Sequence, residues 1–74
     1  MKNPRIKSPD VPLDGARIQR IRQALHLTQE AFAHEIGTSF AAVNRWENDH
    51  NKPCLMARKI LWSLEKRLFG KDKL

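Results

Sequence analysis

The chain has a single cysteine, Cys54, so no internal disulfide can form, and the sequence suits a reducing compartment. Long apolar runs are also missing. None approaches the roughly 20 residues that cross a bilayer, and the basic N-terminus has no apolar signal-peptide core. The expected location is therefore the cytoplasm. Three of the four prolines (Pro4, Pro9 and Pro12) fall within the first twelve residues. That stretch cannot propagate a helix and reads as an extended arm, whereas the rest is nearly free of helix breakers. The arm is either a tail without a role or a basic strand on a phosphate backbone or in a minor groove.

Chemistry-bearing patterns are scarce as well. The chain has no Gly-rich phosphate loop, no Ser/His/Asp arrangement and no paired-carboxylate site. His26, His34 and His50 lack partners at metal-ligand spacing; His50 and Cys54 are four apart, but Pro53 lies between them and no second cysteine exists. No catalytic residue, cofactor or metal is expected. A small-molecule effector is not expected within these residues either, because no sensory domain accompanies the motif.

What the sequence does have is positive charge: 14 Lys and Arg against 8 Asp and Glu, a formal +6. Such a balance favours a polyanionic partner. Its distribution is uneven. Residues 1–13 carry Lys2, Arg5 and Lys7 against Asp10, an excess of +2; residues 53–74 carry Arg58, Lys59, Lys66, Arg67, Lys71 and Lys73 against Glu65 and Asp72, an excess of +4. Residues 14–52 hold five of each sign, so the middle is neutral and the charge lies in its flanks.

At 74 residues the chain makes one small domain, for which an all-helical bundle of low contact order is the simplest solution. The spacing predicts four helices, about 15–25, 29–36, 40–47 and 54–69. Residues 1–13 then form the arm, 14–69 the domain and 70–74 a fraying tail. Asp14 can cap the first helix, with Leu13 and Ile18 as a hydrophobic staple. Thr28 can cap the second, Phe32, Ala33 and Ile36 recur at helical spacing, and Gly37 offers a left-handed stop. Ser39 can cap the third, which buries Val43 and Trp46. Two helices joined by a three- to four-residue turn containing Gly form a helix-turn-helix, whose second helix can enter a DNA major groove.

Two charges fall on apolar arcs. Arg22 lies within the arc of Ile18, Ile21 and Leu25, and Glu47 lies beside the Val43–Trp46 face, at about 100° per residue. Opposite charges so placed predict a partly desolvated ion pair between the first and third helices. The last helix carries a core stripe of Ala57, Ile60, Leu61, Leu64 and Leu68. A second stripe, Leu55, Trp62 and Phe69, lies about 140° away and needs its own cover. A homodimer contact, the N-terminal arm (through Ile6 and Val11) and a partner protein are the three readings.

The segment Ile18 to Leu25 and the run Leu27-Thr28-Gln29-Glu30-Ala31-Phe32-Ala33, then Ile36-Gly37, Ser39, Val43, Arg45-Trp46-Glu47-Asn48 and Pro53, together resemble the lambda-repressor-like, or XRE-type, helix-turn-helix proteins over about residues 14–64. The resemblance implies a compact four-helix DNA-binding domain, double-stranded DNA as partner, a homodimer, and a bacterial or phage nucleoid setting. It further implies that Gln29 touches a phosphate at the N-terminus of the second helix. Thr38, Ser39, Phe40, Ala41, Asn44 and Arg45 then face the groove, with Asn44 on an adenine edge, Arg45 on a guanine edge or phosphate, and Phe40 and Ala41 on thymine methyl groups. Asn48, His50, Asn51 and Lys52 take phosphates. Arg22 and Glu47 match a buried salt bridge of some members. His26 and Asp49 stand where Gly is common in the family, and Phe40 either meets a methyl group or folds back onto Val43 and the second helix. The first functional reading is a dimeric transcriptional regulator. The alternative is an antitoxin-type or DNA-modification-associated protein that binds a protein partner through its last helix.

Overall fold

The computed structural model describes residues 13–70; the expectations for an arm over 1–12 and a tail over 71–74 lie outside them. Four helices and no strands occur among the described residues: α1 Gly15–Ala24, α2 Gln29–Ile36, α3 Phe40–Glu47 and α4 Leu55–Phe69. Three of the four begin on a side-chain cap. The side chains of Asp14, Thr28 and Ser39 accept from the N–H groups of Arg17, Ala31 and Ala42, each satisfying one otherwise orphaned donor. Cys54 occupies the cap position of α4 in extended geometry but makes no such bond. Gly37 ends α2 at φ 89°, a left-handed conformation that glycine adopts without Cβ strain.

α2 packs on α3, and α1 packs on both α3 and α4. The core where they meet consists of Leu13, Ile18, Ile21, Phe32, Ala33, Val43, Trp46, Ala57 and Leu61. Ile18, Ile21, Phe32, Val43 and Leu61 are fully buried, each contributing about 1.5–3 kcal/mol through removal from water. Leu13 belongs to this core together with Ile18, its expected staple partner, although the expected boundary of the arm falls just after it. Gly15 explains how closely α1 approaches α3: a Cβ built there would stand 2.2 Å from the Glu47 carbonyl oxygen. The Gly15 N–H also donates to Asp49 Oδ1 at 2.7 Å, so the loop after α3 caps the start of α1.

Helix α4 departs from its expected faces. Ile60, expected in the core stripe, is 40% exposed, while Trp62 and Phe69 are half-buried and pack against the core. The Arg20 guanidinium lies over the Phe69 ring at 3.9 Å, and Arg58 lies over Trp62 at 6.0 Å. Of the stripe Leu55, Trp62 and Phe69, only Leu55 is open. The exposed apolar side chains of α4 are Leu55, Met56 and Ile60. Ile60 also lines a cleft of about 310 Å³ with Leu25, Leu27, Ile36 and Leu64, where Glu35 and Arg67 supply opposite charges. The reason is rotational: α1 meets α4 through Arg17 and Arg20 as well as through its apolar stripe, which turns Trp62 and Phe69 inward and Ile60 out.

Arg17 and Glu65 bind α1 to α4, with Nε donating to Oε2 at 2.9 Å and Nη2 to Oε1 at 2.5 Å. Donating these hydrogen bonds to Glu65 raises the Arg17 pKa above its ordinary value, against the lowering effect of burial. Both side chains keep some solvent contact (28% and 19% exposed), so the contribution to stability is modest. No helix among the described residues is long and apolar enough to cross a membrane.

Candidate nucleic-acid interface

Helix α3 presents two faces. Val43 and Trp46 are buried, with Ala42 half-buried beside them. Phe40, Asn44, Asn48, Ala41 and Arg45 occupy an outward arc of about 140° at 100° per residue. Phe40, Ala41, Arg45 and Asn48 are exposed and Asn44 is half-buried. Phe40 leaves 50% of its surface open and lies outside the buried core cluster. Ser39 is exposed and Thr38 half-buried in the preceding turn; His50, Asn51 and Lys52 are exposed in the loop after α3. Gln29, at the first position of α2, is half-buried beside the same edge.

The structure brings several of these side chains into one hydrogen-bonded network anchored on the Arg22–Glu47 pair. Arg22 Nε donates to Glu47 Oε2 at 2.6 Å and Nη2 to Oε1 at 3.1 Å, while Nη1 donates to the Leu27 carbonyl at 2.9 Å. The two side chains are 15% and 4% exposed, so their charges are largely removed from water and depend on each other. Gln29 Nε2 donates to the same Glu47 Oε1 at 3.0 Å, and Asn44 Nδ2 donates to Gln29 Oε1 at 3.1 Å. Asn48 Nδ2 donates to the Asn44 carbonyl at 2.8 Å, which closes the C-terminus of α3.

Sequence reasoning singled out Gln29, Asn44 and Asn48 separately and missed that they touch. Nothing in spacing signals an amide on α2 meeting an amide on α3. It also missed the Asp49 bond to Gly15, which gives Asp49, at φ 60°, a purpose that glycine cannot serve. His26, at φ 59°, is exposed and has no comparable bond. Among the described residues no group of three or more His, Cys, Asp and Glu is placed to hold a metal ion.

A family model described as Helix-turn-helix matches residues 18–53, from Ile18 in α1 to Pro53 before α4. No curated protein and no solved structure matches the chain. The fold and this match together define a DNA-binding helix-turn-helix domain of an all-α regulator. Residues 18–53 belong to the lambda-repressor-like, XRE-type helix-turn-helix family.

Proposed function

We propose that the chain is a sequence-specific double-stranded DNA-binding transcriptional regulator that lays α3 in the major groove as a homodimer. The observation that carries this reading is the uncovered arc of α3, held rigidly on the α2–α3 unit by the Val43–Trp46 packing and the Arg22–Glu47–Gln29–Asn44 bonds. In this reading Thr38, Ser39, Phe40, Ala41, Asn44 and Arg45 face the groove. Phe40 and Ala41 meet thymine methyl groups, and Asn44 and Arg45 supply the polar contacts to base edges. Gln29 at the N-terminus of α2, with Asn48, His50, Asn51 and Lys52, takes phosphates and sets the register. Because residues 14–52 are electrically neutral, affinity draws on the basic flanks and on these phosphate contacts. Such a regulator acts on DNA in the cytoplasm of a bacterial or phage-infected cell.

Selection from a randomised duplex library at two salt concentrations tests this. The wild type returns a defined sequence, and Asn44→Ala or Arg45→Ala changes the bases selected. Unchanged selection and affinity in both variants would refute the groove assignment.

The second copy fits the open face of α4. Leu55, Met56 and Ile60 are 55%, 72% and 40% exposed on one helix, and apolar side chains grouped in this way suit a protein contact. Glu35 and Arg67 on the neighbouring cleft suit a two-fold contact in which each charge meets its opposite. The same trio supports the alternative, an antitoxin-type or modification-associated protein that holds a protein partner through α4. Sedimentation separates them: a concentration-dependent dimer abolished by Ile60→Glu favours the homodimer, and a monomer at high concentration favours the partner protein.

A further inference from the structure

The outward arc of α3 is joined to the buried ion pair by hydrogen bonds that run in one direction. Glu47 receives two N–H groups from Arg22, and a carboxylate can only accept. The Gln29 amide therefore meets Glu47 Oε1 with its nitrogen, at 3.0 Å. That orientation turns Gln29 Oε1 toward Asn44, which must answer with its own nitrogen, at 3.1 Å. Flipping either amide would set oxygen against oxygen, or nitrogen against nitrogen, in a part-buried site. An unmade hydrogen bond there disfavours the flipped state roughly ten-fold or more. Asn44 is left with Oδ1 and one Nδ2 proton. Asn48 Nδ2, which donates to the Asn44 carbonyl at 2.8 Å, also reaches Asn44 Oδ1 at a long 3.5 Å, and an amide oxygen so engaged keeps a second lone pair for a further donor.

We infer that Asn44 is a specificity-determining residue whose amide is held in one orientation, with Gln29 as the positioning residue that transmits the polarity of Glu47. A fixed outward acceptor selects a base with an exocyclic amine in the major groove, adenine or cytosine, and rejects the carbonyl edges of guanine and thymine. The remaining donor beside that acceptor matches adenine N7 and N6 together, so adenine is the base chosen. Without the relay Asn44 can turn its amide over and accept either kind of edge. Gln29 therefore does more than touch a phosphate. The inference rests on α3 being the groove-reading helix.

Two measurements test it. In the free protein, side-chain amide exchange followed by NMR detects the relay itself: one Asn44 Nδ2 proton exchanges slowly in the wild type and both exchange fast in Gln29→Ala, whose backbone spectrum reports that the fold is kept. Fast exchange of both protons in the wild type overturns the relay. Selection from randomised duplexes then detects its consequence. The wild type prefers adenine at the Asn44 position about ten-fold or more. Gln29→Ala binds all sequences more weakly and lets guanine or thymine approach within about three-fold there, while the Arg45 position keeps its preference; Asn44→Ala loses the adenine preference. If Gln29→Ala weakens binding uniformly with the adenine preference intact, the relay is wrong and DNA reading stands. If the wild type selects no sequence, the DNA reading falls and this inference with it.

Discussion

Arg22 and Glu47 meet through two side-by-side hydrogen bonds, Nε to Oε2 at 2.6 Å and Nη2 to Oε1 at 3.1 Å, with side chains only 15% and 4% exposed. The pair ties α1 to the end of α3, and removing one member leaves the other charged and desolvated. Arg22→Ala is expected to cost about 3–5 kcal/mol, lowering Tm by roughly 10 °C or more. Arg20→Ala removes only the stacking over Phe69 on an exposed residue, about 0.5–1 kcal/mol. Thermal unfolding of the two variants side by side checks this; equal melting temperatures would contradict it.

Gly15 sits where α1 touches the backbone of α3. A methyl group there would stand 2.2 Å from the Glu47 carbonyl oxygen, so α1 must shift and disturb the Arg22–Glu47 contact. Gly15→Ala should destabilise by about 1–3 kcal/mol, despite alanine's better helix propensity. Urea denaturation measures it, and a stabilised variant would show that α1 does not approach so closely.

Among the described residues, the two left-handed positions other than glycine are expected to respond differently. His26 is exposed and holds φ 59° with no side-chain bond to offset the strain. His26→Gly should therefore stabilise by about 1 kcal/mol, near 4–8 °C in Tm. Asp49 at φ 60° gives Oδ1 to the Gly15 N–H at 2.7 Å. Asp49→Ala keeps the strain and loses that bond, a loss of about 1–2 kcal/mol. A His26→Gly protein that melts lower than the wild type would contradict the first half.

Helix α4 starts without a side-chain cap at Cys54, although the backbone there is already extended as a cap requires. Cys54→Ser supplies the missing acceptor and should stabilise by about 0.5–1 kcal/mol. Differential scanning calorimetry under reducing conditions would detect the rise. No change would mean that the first turn of α4 is satisfied by water.

How much was legible depends on the range over which each interaction acts. Caps at Asp14, Thr28 and Ser39 involve residues three apart and could be read directly. Arg22 and Glu47 were conspicuous because each broke the apolar pattern of its own helix. The rotation of α4 could not be read, since Arg17 reaches Glu65 across 48 residues and the stripe containing Ile60 was wide enough to be cut on either side. The bond between Gln29 and Asn44 was hidden for a related reason. It depends on how α2 crosses α3, and neither residue violates any local pattern.

Phosphate and base contacts should separate in their salt dependence. Lys52→Ala is expected to weaken every sequence alike and to flatten the slope of log affinity against log salt by about 1. Arg45→Ala should instead cost about 1–3 kcal/mol on the preferred duplex and much less on a scrambled one. Titrations at several salt concentrations check both, and identical behaviour of the two variants would collapse the distinction.

The most direct test of α3 in the major groove is atom-by-atom substitution in the duplex that the protein selects. Replacing contacted purines with 7-deaza analogues removes the N7 acceptor from the major groove alone, whereas replacing guanine with inosine removes an amine from the minor groove alone. The expected result is a loss of about 1–3 kcal/mol at the 7-deaza positions and little change with inosine. Binding that tolerates the 7-deaza purines but fails with inosine would contradict the account.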